Sequence, residues 1–193
     1  MDIRTIMCPK DTQNLARVPR MQAIYDAQVK IAQEYQPKWI CEIGVRAGYS
    51  AHAWITGSPK VIAYHGIDMD DQTHYGGPWL WWAKRLLREL QESQNLAWEV
   101  WAKDSQTLTV LATGCLRYDL VHVDGDHTYE GCLHDMNLCW PGVAPGGIMV
   151  VDDATYLPGP RKACAGYKPE GMARAYLEPS PTGSMIFVKE GGK

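Results

Sequence analysis

A doubly wound α/β domain follows from three observations. Short strand-like runs alternate with amphipathic helical stretches from about residue 21 onward, the pattern of strands joined by crossover helices. Ile148 to Val151 is an unbroken apolar run, as expected of a parallel strand covered on both faces. Successive strand candidates close on acids, at Asp68, Asp104, Asp124 and the pair Asp152 and Asp153. In open α/β sheets the ligand crevice lies beyond the carboxyl ends of the strands, so Asp124, Asp126, His127, Asp152 and Asp153 converge there.

The chain of 193 residues is large enough for one such domain, and no linker, repeat or low-complexity segment divides residues 1–193. Its formal net charge of -3 and lack of a basic run argue against a duplex nucleic-acid partner. No segment is apolar enough to span a bilayer, and the first twenty residues lack a secretory pattern, so a soluble cytoplasmic protein is expected. The six cysteines form no CxxC pair, and Cys41, Cys132 and Cys139 fall where a free thiol packs as a small hydrophobe.

Taken in order, Met21 to Tyr35 shows helical apolar spacing and is stopped by Pro37. Lys38 to Gly44 is a strand, and VRAGYSAHAWI turns through glycines into a second helix. Val61 to Asp68 is the next strand. A polar loop then leads to a helix from Trp79 to about Glu92, with Leu86, Leu87 and Leu90 on its inner stripe. Trp81 shares the opposite face with Arg85 and Arg88, and His74, Tyr75, Trp79 and Trp81 are candidates for a lid, with core or neighbour packing the alternative.

Leu96 to Asp104 is half polar and suits a sheet edge. A helix from Ser105 to about Thr113 is expected next, with Ser105 as N-cap. After the Tyr118 strand, Tyr129 to Trp140 is a helix ended by Pro141 and Gly142. GPRKACAGY forms a short helix, and MARAYLEP and SMIFVKE form an antiparallel strand pair.

Four chemical features stand out. In CEIGVRAGYS, Gly44 and Gly48 let the backbone approach a ligand, N–H groups at the following helix can hold a carboxylate, and Glu42 suits a positive amino group; a tight turn without ligand is the alternative. The stretch lacks G-x-G-x-x-G, which tells against a nicotinamide or flavin site. Asp68 can accept both hydroxyls of a ribose or simply cap a turn. Asp104 and Ser105 can read an adenine amino group or cap a helix.

The fourth feature is the cluster at Asp124, Asp126, His127, Asp152 and Asp153. Its four carboxylates repel one another unless a cation sits among them, so a hard divalent ion is expected. Asp126 suits a turn, and His122, within its strand, suits packing and hydrogen bonding.

CEIGVRAGYS, DLVHVDGDHTYEGCLHD, APGGIMVVDD and GPRKA resemble the class I S-adenosylmethionine-dependent methyltransferases, in particular the small-molecule O-methyltransferases of the macrocin and cephalosporin-biosynthesis type. The resemblance runs from Trp39 to Val188, and DGDHxYE is its most specific piece. It implies a Rossmann-like three-layer sandwich with a seven-stranded, mostly parallel sheet of order 3-2-1-4-5-7-6 and an antiparallel last strand. It further implies S-adenosylmethionine bound by Glu42, Gly44, Gly48, Ser50, Asp68, Asp104, Ser105 and Asp124. Magnesium would be held by Asp124, Asp152 and Asp153, with His127 as catalytic base.

The implied acceptor is a hydroxyl on a small molecule. Larger members place oligomerisation and substrate-covering elements in an N-terminal extension, of which this chain carries little, and the region after Asp153 is short, so pairing of subunits stays open. The chemistry suits these residues. Methyl transfer depends on in-line positioning, and an ion on oxygen ligands lowers a hydroxyl's pKa while orienting it. His127 can take the proton, or it can merely cap the next helix.

Overall fold

The computed structural model describes residues 1–70, 78–111, 117–178 and 183–191. The strands are β1 Trp39–Ile43, β2 Ala63–Asp68, β3 Ala97–Ala102, β4 Tyr118–Val123, β5 Val143–Val151, β6 Met172–Leu177 and β7 Met185–Lys189. They form one sheet in the order β3-β2-β1-β4-β5-β7-β6, as expected from the sequence. Neighbouring pairs from β3 to β5 are parallel, whereas β7 runs antiparallel to both β5 and β6. The helices are α1 Thr12–Leu15, α2 Val18–Tyr35, α3 Tyr49–Gly57, α4 Leu80–Ser93, α5 Tyr129–Cys139 and α6 Pro158–Gly166. None in the described residues is long and apolar enough to cross a membrane.

Strand alternation divides the core between the two faces. Ile40, Leu120, Ile148 and Val150 point to one face, where they meet Ile31 of α2, Trp54 of α3 and Leu87 of α4. Cys41, Ile43, Val121, Val123, Met149 and Val151 point to the other, against Met136 of α5 and Ala163 of α6. Burying a side chain such as Leu87 completely contributes about 1.5–3 kcal/mol. Central strands covered on both faces therefore had to read as apolar runs, and the edge strand β3, with Glu99 exposed, did not.

A third apolar cluster was not foreseen. Ile3, Ile6, Met7 and Cys8 pack with Tyr25, Tyr49, Trp79, Trp82 and Leu86, so the first residues of the chain cover α2, α3 and α4. Directed bonds fix this segment: Trp82 Nε1 donates to Ile6 O at 2.8 Å, and the Cys8 N–H donates to Tyr49 Oη at 2.9 Å. The carboxylate of Asp11, wholly enclosed, accepts Arg46 Nη1 at 2.7 Å and Nη2 at 3.0 Å. Where α2 meets α3, His52 Nδ1 and Tyr25 Oη lie 2.8 Å apart.

Several boundaries moved. The helix α2 starts at Val18 because Pro19 sits in its first turn, where a missing N–H costs nothing, and it ends in a left-handed Gln36 before Pro37. The expected helix from Ser105 is only a 3-10 turn, Ser105–Thr107, followed by an extended Leu108, and positions 112 and 113 of that helix lie outside the described residues. Asp104, not Ser105, is its N-cap, accepting from the Gln106 N–H at 2.9 Å. The β-branched Thr107, Thr109 and Val110 disfavour continuing a helix there. Trp81 is 48% exposed with its ring edge against Trp82, as the helical spacing predicted. His74 and Tyr75 lie outside the described residues. Cys8, Cys41, Cys132, Cys139 and Cys164 are free and buried.

Candidate active site

The ends of β1, β2 and β4, with the loop after β3, enclose a cavity of about 520 Å³. Its position is that expected of a ligand crevice in an open α/β sheet, and its size is in the range of small-molecule sites. Gly44, Asp68, Asp104, Ser105, Asp124 and His127 line it, so six of the residues singled out in the sequence meet at one surface. Gly44 has φ +90, and a Cβ there would lie 1.9 Å from the Asp124 carbonyl oxygen. Only glycine permits so close an approach between the ends of β1 and β4.

On one side of the cavity, Asp68 accepts the Arg46 N–H at 2.7 Å and the Asp70 N–H at 2.7 Å. Burial pushes its carboxyl above the ordinary range against these two bonds. Arg46 adopts φ 46, which aims its N–H at Asp68 while its guanidinium reaches Asp11 and lies 5.5 Å from the Trp79 ring. Trp79 also lines the cavity. On another side, Gln106 Nε2 donates to Asp135 Oδ1 at 2.9 Å, leaving its carbonyl oxygen as the amide's remaining group. Asp135 is fully buried, and burial raises its pKa to about 6.

At the β4 end, His127 Nε2 lies 3.1 Å from Asp124 Oδ1. That bond, with the charges of Asp124, Asp153 and Asp152, holds the imidazole above its ordinary pKa despite burial. Burial, reinforced by the charge of Asp152, pushes Asp124 up to about 6. Asp126 Oδ1 accepts the Thr128 N–H at 2.8 Å, the turn role expected of it, and Thr128 rather than His127 caps α5.

Asp152 and Asp153, at the end of β5, do not line the cavity; they adjoin it through Asp124. Among the described residues, two groups bring three ligand atoms within 4.8 Å of one another: His122, Asp124 and Asp152, and Asp124, His127 and Asp153. The three aspartates expected as one ligand set are thus shared between two groups, each with a histidine.

Glu42, Gly48 and Ser50 do not line this cavity. Glu42 is wholly buried, and its carboxylate accepts Ser50 Oγ at 2.5 Å and Tyr64 Oη at 2.5 Å, with His122 Nδ1 2.7 Å away. An acid so fully engaged inside the sheet is not presented to the cavity, contrary to the expectation that it meets a ligand's amino group. Gly48 begins α3 packed against Ala83. Burial alone would lower the pKa of His122, but the hydrogen bond and charge of Glu42, with Asp124 and Asp152, outweigh it and raise it to about 9.

Arg46, Gln106, Asp135 and Asp11 were not singled out in the sequence. Gln106 adjoins a flagged pair and was within reach; Asp11 meets Arg46 across 35 positions, which leaves no local trace.

A family model described as a methyltransferase domain matches residues 41–154. Among curated proteins, the demethylmacrocin O-methyltransferase of Streptomyces fradiae is 27% identical over 129 residues, covering 62% of this chain and 29% of that one. The chain therefore spans less than a third of the length of that relative. Among solved structures, the O-methyltransferase TomG of Streptomyces achromogenes, in complex with S-adenosylmethionine, superposes with a TM-score of 0.60 at 17% identity, covering 91% of this chain and 81% of that one. The S-adenosylhomocysteine-bound methyltransferase PaMTH1 of Podospora anserina gives 0.60 at 15% identity, covering 86% and 76%. At these identities the structural likeness is one of fold.

Proposed function

Because the chain belongs to the methyltransferase-domain family, we propose that it transfers a methyl group from S-adenosylmethionine to a hydroxyl of a small molecule, assisted by a divalent ion. The observation that carries this reading is the meeting of Asp68, Asp104, Ser105, Asp124 and His127 on one cavity at the carboxyl ends of the strands. The O-methyltransferase names of TomG and the Streptomyces fradiae relative agree with it.

The residues suit both groups. Asp68 has carboxylate lone pairs left beyond its two backbone bonds, enough to accept ribose hydroxyls. Ser105 and Gln106, on the opposite side, would take the adenine edge, with the Gln106 carbonyl accepting from the exocyclic amine. The raised pKa of Asp124 beside Asp152 marks a place where positive charge is favoured, so Asp124, with Asp152 or Asp153 beside it, would hold the ion.

When bound, the cofactor supplies an electrophilic methyl on a sulfonium, and the ion acidifies the acceptor hydroxyl. The protein's own contribution is placement, since an in-line approach accounts for most of the acceleration available to such a transfer. The His127 imidazole would accept the hydroxyl proton at its other ring nitrogen, while its Nε2, 3.1 Å from Asp124 Oδ1, lets that carboxylate stabilise the imidazolium so formed.

The test is calorimetric titration of S-adenosylmethionine, then magnesium, into the wild type and an Asp152→Ala, Asp153→Ala double variant. Both should bind the cofactor, and only the wild type the ion. Absence of cofactor binding to the folded wild type overturns the reading; cofactor without any divalent ion overturns the metal-assisted part. His127→Ala should lower kcat by about 10²–10⁴-fold while leaving cofactor affinity within threefold, about the range of a lost general base.

A further inference from the structure

Glu42, His122, Asp124 and Asp152 occupy one face of the sheet. Glu42 is opposite His122 in the β1 and β4 register, and His122 is opposite Val150 in β4 and β5, so two positions on, Asp124 and Asp152 continue that face. His122 is 1% exposed. Its Nδ1 lies 2.7 Å from Glu42 Oε1, while its Nε2 is buried without a hydrogen-bond partner. Buried polar atoms are rarely left so, and each asks for an explanation.

A carboxylate that accepts Nδ1–H fixes the orientation of the imidazole and aims Nε2 at the ion, which is how metal-ligating histidines are held. His122, Asp124 and Asp152 each offer a ligand atom within 4.8 Å of the others. Asp152 is steadied by Ser184 Oγ, which donates to its Oδ1 at 2.7 Å. The second group lacks this feature, because the Nε2 of His127 already meets Asp124.

From this geometry we propose that His122 Nε2, Asp124 and Asp152 form a binding site for a divalent first-row transition ion. This names the ligands and metal class of the ion in the proposed function, with His122 in the place expected of Asp153 from the sequence, and it rests on that reading only in that an ion is bound. Imidazole suits iron, nickel, copper or zinc, whereas magnesium keeps to oxygen; manganese, itself fond of oxygen ligands, accepts an imidazole more readily than magnesium does and serves as the paramagnetic probe. An ion entering there displaces whatever proton His122 carries.

The test uses Mn2+ with the full chain. Pulsed electron paramagnetic resonance separates a nitrogen bound directly to the ion, which gives a large 14N hyperfine coupling, from nearby unbound nitrogens, whose couplings are much smaller; modulation below means the large coupling. Modulation is expected in the wild type and in His127→Ala, and its loss is expected in His122→Gln. Calorimetry should show Mn2+ binding the wild type at least tenfold more tightly than Mg2+. Mn2+ binding without nitrogen modulation, modulation that disappears in His127→Ala, equal affinity for the two ions, or no Mn2+ binding each overturns the proposal. If His122→Gln fails to fold, the wild type and His127→Ala decide. S-adenosylmethionine titrated into the same samples separates this outcome from the fate of the methyl-transfer reading.

Discussion

The Arg46 and Asp11 pair links the first residues of the chain to the cavity wall, and a double-mutant cycle measures what it is worth. Replacing Asp11 with Ala removes the acceptor for five bonds: from Arg46 Nη1 and Nη2, Tyr49 Oη, and the Asn14 N–H and Nδ2. The Asp11 side chain is fully enclosed, whereas that of Arg46 keeps 24% exposure, so the guanidinium can recover water that the other donors cannot. The pair therefore falls between an exposed ion pair, worth up to about 1 kcal/mol, and a wholly buried one, whose disruption costs about 3–5 kcal/mol. We expect Asp11→Ala to lower the unfolding free energy by about 3 kcal/mol, and the cycle with Arg46→Met to give a coupling of about 2 kcal/mol. Urea unfolding followed by circular dichroism supplies these energies, and limited proteolysis of the folded variants should show faster cleavage before residue 18. A coupling below about 0.5 kcal/mol, at the level of a loose surface pair, would refute the argument that this contact clamps the segment.

Gly44→Ala, with φ +90 and its new Cβ 1.9 Å from the Asp124 carbonyl, should cost at least about 3 kcal/mol in urea unfolding, whereas Gly146→Ala, at φ +78 with open space around it, should cost only about 1–2 kcal/mol. Burial lowers the pKa of His52 to about 4, against about 6.5 in the unfolded chain. Between those values the unfolded state binds more protons, so stability should fall by about 3 kcal/mol as pH drops from 6.5 to 4, and His52→Gln should flatten that slope in a pH series of unfolding curves. In Gly159→Ala the new Cβ would lie 2.1 Å from the His127 carbonyl oxygen, so the start of α6 must push the His127 loop aside. Under the proposed function, kcat should fall about 100-fold with cofactor affinity retained, and an unchanged kcat would show that His127 needs no such placement.

What could be seen in the sequence was what depends on local period and on strand ends. Val121, Val123 and Ile148 to Val151 announce buried strands because both faces of the sheet are covered, and the acids at 68, 104 and 124 lie where parallel strands stop, on the cavity. What could not be seen depends on partners far along the chain. Glu42 looked like a ligand residue because it precedes a glycine turn, but the side chain is enclosed by Tyr64 and by His122, 80 positions away. The helix expected after Ser105 failed because Asp104 caps a 3-10 turn and the chain leaves the helical path at the extended Leu108, which packs with Leu111 against the core. The ordered N-terminal segment was missed because its apolar residues, at 3, 6, 7 and 8, are too few to show a period.

The position of β7 between β5 and β6 also bears on how the chain reaches this state. During synthesis β1 to β5 can pair as they emerge, each joining strands already made, but the outer edge of β5 waits for the strand at residues 185–189. Until then, Ile148 to Val151 forms an apolar edge of the kind that recruits another copy's strand. The nascent protein is thus most prone to aggregate late, in the short interval before its last strand slots into the gap.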